Sequence, residues 1–139
     1  MATAHLTRIV EFTATHRLRR PDWPDARNLA TFGGAAVDHD HRYQVHVTVK
    51  GPLAARERGV VDLAALDRLL ADEVSGRFDG RHINEDMPEF ADGAMLSTGE
   101  ALAVYLWGRL AGRLPAGAAL HAIRVQEGAH LYAEYFGTD

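Results

Sequence analysis

The sequence predicts an α+β domain in which two helices lie on one face of a four-stranded antiparallel sheet. Three observations predict it. Two segments with period-2 alternation open the chain and two close it, and two segments with helical periodicity lie between them. The order β-β-α-α-β-β has no β-α-β alternation of the kind a parallel sheet requires. The turn signals fall between these segments, and no internal repeat or low-complexity linker divides residues 1–139, so the chain reads as a single domain.

Residues 6–18 read as the first strand, with Phe12, Ala14 and His16 on one face. Residues 19–37 read as an irregular loop, because PDWPDARN carries two prolines and FGGAA a glycine pair. Residues 38–50 form the clearest strand. His39, His41, Val45, Val47 and Val49 share one face, and Asp40, Arg42, Gln44, His46 and Thr48 line the other. Asp62 is the expected N-cap of a helix from 63 to about 75, whose stripe is Leu63, Leu66, Leu69, Leu70 and Val74. Residues 76–96 read as a second irregular stretch. Ser97 or Thr98 is expected to cap the second helix, with Glu100 placed for a capping box from Ser97, and Leu102, Leu106, Trp107 and Leu110 supply its apolar stripe. Residues 119–127 and 130–137 read as two strands joined tightly near Gly128. Four strands leave two open edges, which association of copies would cover.

Composition narrows the function classes. With 139 residues, 47% hydrophobic and 24% charged, the chain has the profile of an ordinary globular domain. A net charge of −4 without a basic run argues against nucleic acid or an anionic membrane as partner. No apolar stretch approaches the roughly 20 residues that span a bilayer. The N-terminal residues lack the basic-then-apolar pattern of a signal peptide. Cysteine is absent, which removes disulfides, thiolate ligands and a thiol nucleophile, and makes the cytoplasm the expected compartment.

The chemistry-bearing residues are histidines. Two neighbouring strands that carry His16 and the His39–His41 pair present three imidazoles to one point. Three neutral imidazoles with an open fourth position are the donor set of a catalytic zinc site. Zinc there would polarise a carbonyl or hydroxyl oxygen, or acidify bound water. By ligand type, iron, nickel and cobalt also remain open. Glu127, at the end of an alternating strand, reads as a carboxylate able to grip an N–H pair. Asp40 should point away from the two rings that flank it, as a solvated residue or an acceptor orienting an imidazole.

Motif by motif, the chain resembles the 6-pyruvoyl-tetrahydropterin synthase and 6-carboxy-tetrahydropterin synthase family. Phe12, Ala14 and His16 match its opening F-x-A-x-H strand. His39, Asp40, His41 and Tyr43 match H-G-H-x-Y. Gly59, Val61, Asp62 and Leu63 match the helix entry. Phe78, Asp79, Ile83 and Asn84 match part of an L-D-H-x-x-L-N segment. Thr98 and Glu100 match a helix start, and Val125 and Glu127 the late V-x-E. The resemblance implies subunits whose sheets join into a barrel, usually a hexamer; a trimer that closes a smaller ring of strands would hide the same edges. It implies zinc on the three histidines and a pterin edge gripped by Glu127 with Thr98.

Three departures stand out. The family's cysteine falls where this chain has Gly33 to Val37, its histidine after the aspartate is Gly80, and the glycine between the paired ligands is Asp40. His82, with Asp79 as its orienting acceptor, is the expected substitute for the missing proton carrier. The reading is a zinc-dependent lyase or cyclase acting on a polar carbonyl- or hydroxyl-bearing small molecule, by elimination, isomerisation, aldol-type cleavage or ring closure. Two alternatives stand beside it: a pterin-pathway enzyme acting on dihydroneopterin triphosphate or a related pterin, and a non-catalytic metal-binding assembly subunit.

Overall fold

The computed structural model describes residues 2–53 and 59–138. Four strands, β1 (Thr3–His16), β2 (His39–Pro52), β3 (Ala119–Glu127) and β4 (Tyr132–Tyr135), form one antiparallel sheet in the order β1-β2-β3-β4. The β1–β2 ladder is unbroken from Thr3↔Pro52 to His16↔His39. The helices are α1 (Asp25–Phe32), α2 (Leu63–Leu70), α3 (Gly76–Phe78), α4 (Ile83–Asp86) and α5 (Gly99–Leu110).

Period-2 alternation decides which face of the sheet is covered. Phe12 and Ala14 on β1, Tyr43, Val45, Val47 and Val49 on β2, and Ile123 and Val125 on β3 are buried. Leu66, Leu69 and Leu70 of α2 and Leu102, Ala103, Leu106 and Leu110 of α5 close over them. Phe12 stacks on Tyr43 at 5.0 Å and on Phe78 at 5.2 Å between ring centroids, packing the sheet against α3.

The first long helix starts where the sequence places it: Asp62 accepts a hydrogen bond from the Ala65 amide at 3.1 Å. It runs on through a π turn at Ala71–Ser75 into α3. Gly76 is required there, since a Cβ would lie 2.4 Å from the Ala71 carbonyl oxygen. The π turn holds the buried Glu73, bonded to Arg109, Arg77 and Arg113.

Several boundaries differ from expectation. The stretch 19–37 is not wholly irregular: α1 and a 3₁₀ turn at Gly33–Ala36 lie within it. Helix α1 lacks a side-chain N-cap, and the buried Asn28 binds the amide and carbonyl of Arg20 instead of filling an apolar stripe. The second irregular stretch contains α3, α4 and a 3₁₀ turn at Pro88–Phe90. The capping box from Ser97 does not form. Thr98 is the N-cap of α5, its Oγ1 3.3 Å from the Ala101 amide, and Ser97 is buried elsewhere. Strand β1 begins at Thr3 and ends at His16, and β4 is shorter than 130–137. No described helix is long and apolar enough to cross a membrane.

Candidate metal centre and ligand cleft

The β1–β2 register assembles the centre. His16 sits directly opposite His39, and Ala14 directly opposite His41. His16, His39 and His41 therefore leave adjacent strands on one face, with ring centroids 4.5, 4.7 and 5.2 Å apart. One nitrogen from each lies within 4.8 Å of the others.

Hydrogen bonds fix which nitrogens face inward. His16 Nδ1 lies 2.9 Å from the Ser97 carbonyl oxygen, and His39 Nδ1 lies 2.8 Å from that of Val37. A carbonyl only accepts, so each Nδ1 carries the proton and each Nε2 keeps its lone pair. His16 Nε2 is buried and has no hydrogen-bond partner among the described residues. Burial, reinforced by His39 and His41, lowers the His16 pKa to about 4. Burial, then His39, lowers that of His41. His16 and His41 are thus biased toward the neutral form that a metal ligand requires. An orphaned buried lone pair beside two further imidazoles fits a divalent metal.

Glu127 ends β3 opposite Tyr43. Its side chain is 9% exposed, and Oε1 lies 3.8 Å from His16 Nε2 with no hydrogen-bond partner. Burial raises the Glu127 pKa, opposed by His39. A cleft of ≈ 460 Å³ is floored by the three histidines and Glu127 and walled by Leu18, Gly34, Ala35 and Leu131. Its surface thus combines a carboxylate, three imidazoles and apolar walls. Where the resembled family carries its thiol, the wall is Gly34 and Ala35.

Three expected site residues, Asp79, His82 and Thr98, take other partners. Asp79 does not orient His82: its Oδ1 accepts from the Thr13 amide at 3.0 Å. Gly80, at φ +72°, turns the chain so that segment 80–82 runs along the outer edge of β1, bonded through Gly80 to Thr13 and through Arg81 to Thr15. His82 then lies beside Thr15, whose side chain leaves the strand opposite to His16. Its Nε2 is 3.1 Å from Asp38 Oδ1 and 3.2 Å from Arg17 Nη1. His82 does not line the cleft. Thr98 caps α5 and is not a wall residue either. Asp40 accepts from Thr15 Oγ1 at 2.5 Å and orients no imidazole. The groups that do orient the rings, Ser97 and the Val37 carbonyl, carried no separate signal. Ser97 looked like a helix cap, and a backbone carbonyl has no signature in a sequence.

A family model described as 6-pyruvoyl tetrahydropterin synthase matches residues 5–138. A 6-pyruvoyl tetrahydrobiopterin synthase from Homo sapiens is 35% identical over 126 residues, covering 89% of this chain and 85% of that protein. One from Drosophila melanogaster is 34% identical over 126 residues, covering 89% and 74%. The solved structure of Caenorhabditis elegans 6-pyruvoyl tetrahydropterin synthase superposes with a TM-score of 0.87 at 27% identity, over 99% of this chain and 98% of that one. An uncharacterized protein from Wolinella succinogenes shares the fold, with a TM-score of 0.72 at 17% identity over 99% and 100%.

Proposed function

The chain belongs to the 6-pyruvoyl tetrahydropterin synthase family, and from that premise we propose that it is a zinc-dependent lyase of pterin biosynthesis, acting on dihydroneopterin triphosphate or a related reduced pterin. The observation that carries the reading is one cleft in which three clustered imidazoles meet a largely buried Glu127 whose Oε1 has no hydrogen-bond partner among the described residues.

In this reading His16, His39 and His41 hold the metal, which supplies Lewis acidity to an oxygen of the substrate side chain. Glu127 accepts the paired N–H groups of the pterin's guanidine-like edge, a charge-assisted contact strengthened by the dry surroundings. Leu18 and Leu131 cover the ring and exclude water. Thr98 is given no ligand contact in this reading, because it caps α5 and does not line the cleft. The reading gives no proton transfer to an Asp79–His82 pair, because Asp79 is bound to Thr13 and His82 to Asp38. The β4 edge and the part of the β1 edge that precedes Thr13, with Tyr132 and Phe136 exposed at β4, support assembly of copies into a hexamer or trimer.

A second reading has its own observation. With Gly34 and Ala35 in the wall, no thiol reaches a substrate carbon. That favours a changed carbonyl- or hydroxyl-bearing substrate on the same metal site, turned over by elimination, isomerisation, aldol-type cleavage or ring closure.

Incubation of zinc-loaded protein with dihydroneopterin triphosphate separates the two. The first reading predicts release of inorganic triphosphate, lost in Glu127→Gln. No release, together with no binding of a reduced pterin in a fluorescence titration, overturns it in favour of the second.

A further inference from the structure

Behind the histidines lies a polar network, buried at Ser97 and Asn84, that does not line the cleft. Ser97 is fully buried, and its carbonyl and Oγ lie 2.9 and 3.0 Å from His16 Nδ1. Asn84, 7% exposed, is bonded on both sides of its amide. Its Oδ1 accepts from the Arg17 backbone amide at 2.8 Å, and its Nδ2 donates to the Phe90 carbonyl at 2.9 Å and to Ser97 Oγ at 3.4 Å. Ser97 Oγ in turn reaches the Arg17 carbonyl at 3.4 Å. One asparagine therefore ties together the residue after His16, the loop at Phe90 and the serine that holds the His16 ring.

The network continues to the second ligand strand. Arg17 Nη1 donates to Asp38 Oδ1 at 2.9 Å, and its Nη2 to Asp92 Oδ2 at 2.9 Å. Arg17 follows His16 directly and Asp38 precedes His39 directly. The ion pair is thus a crosslink between the backbones that carry two of the three imidazoles. The Arg17 side chain is 18% exposed, and Asp38 reaches it from the surface, 50% exposed.

A ring nitrogen binds a metal only when the tautomer and the ring plane are right. The partner of the other nitrogen sets both. We propose that Asn84 and Arg17 are positioning residues, which hold Ser97 and Asp38 so that His16 and His39 present Nε2 to the metal. The proposal rests on the metal reading above and deepens it. Metal affinity is then set in part by an amide and a guanidinium that touch no metal.

Cobalt(II) titration of metal-free protein, in competition with a chelator, tests this. Asn84→Asp keeps the acceptor for the Arg17 amide and loses both donors. Arg17→Lys cannot bridge Asp38 and Asp92 at once. In each, the cobalt affinity falls about 10- to 100-fold, and the d–d absorption bands shift, at a temperature where circular dichroism shows the native fold. Arg19→Lys, at the exposed Arg19–Asp25 pair, serves as control and leaves both unchanged. Wild-type affinity and bands in a folded Asn84→Asp overturn the proposal. Ser97→Ala, which deletes one oxygen, gives the same reading if Asn84→Asp does not fold. A wild-type protein that takes up no cobalt overturns the metal site itself, and the positioning role with it.

Discussion

Replacing His39 by alanine should be almost silent in metal-free protein and costly in metal-loaded protein. His39 is half-buried at the cleft surface, and its one protein hydrogen bond is Nδ1 to the Val37 carbonyl. Losing one such bond costs about 1 kcal/mol, and at this chain length that is a Tm change of roughly 3 °C. Zinc at a hundredfold excess over its Kd stabilises the wild type by about 2.7 kcal/mol, or roughly 8 °C on the same scale. His39→Ala leaves two imidazoles and should lose most of that gain. The assay is thermal unfolding followed by circular dichroism, in chelator and then in zinc, for both proteins. The zinc-induced rise should be large in the wild type and nearly absent in the variant. Equal rises in both would refute the triad as the zinc site. A large loss already in chelator would show that His39 is a structural residue.

Three further outcomes follow from the same geometry. Metal-free protein should lose stability as pH falls from about 6.5 toward 4: His16 has a folded pKa lowered to about 4 by burial, so the unfolded chain binds the extra proton in that window. The slope is about 1.4 kcal/mol per pH unit, measured as urea midpoints, and a flat profile refutes it. Glu73→Gln should lower stability by roughly 2 kcal/mol at neutral pH and by less in acid. Its bond to Arg109 depresses the Glu73 pKa, so this contribution is present above the unfolded value and fades as pH falls through the folded one. Urea unfolding at pH 7 and pH 3 measures the difference. Gly76→Ala should destabilise by roughly 1–3 kcal/mol, because the Ala71 carbonyl in its path is backbone. An unchanged Tm would show that the π turn relaxes.

The sheet and the triad were legible because both depend on period 2. Alternation in VDHDHRYQVHVTV fixes one face, and Phe12, Ala14 and His16 fix the face that meets it. Asp62 announced its helix by residue type and position, and the structure shows the bond. What failed was short or non-periodic. Helix α1 is eight residues long, starts after Pro24 and spends Asn28 on a loop. The Asp79–His82 pair looked sound as a three-residue spacing. A left-handed glycine at position 80 and an edge pairing with β1 sent the two side chains to different partners. Ser97 was legible only as a cap, because its contact with His16 spans 81 residues. Contacts of that separation follow from the packing of α5 against the sheet, and no local pattern encodes them.

We propose that His16, His39 and His41 hold one metal ion in a pterin-binding cleft. Metal analysis of chelator-stripped, zinc-reconstituted and desalted protein, wild type against His16→Ala, decides this. About one zinc per chain should remain in the wild type and almost none in a folded His16→Ala. A wild type that retains no zinc, or a His16→Ala that retains as much, would contradict it.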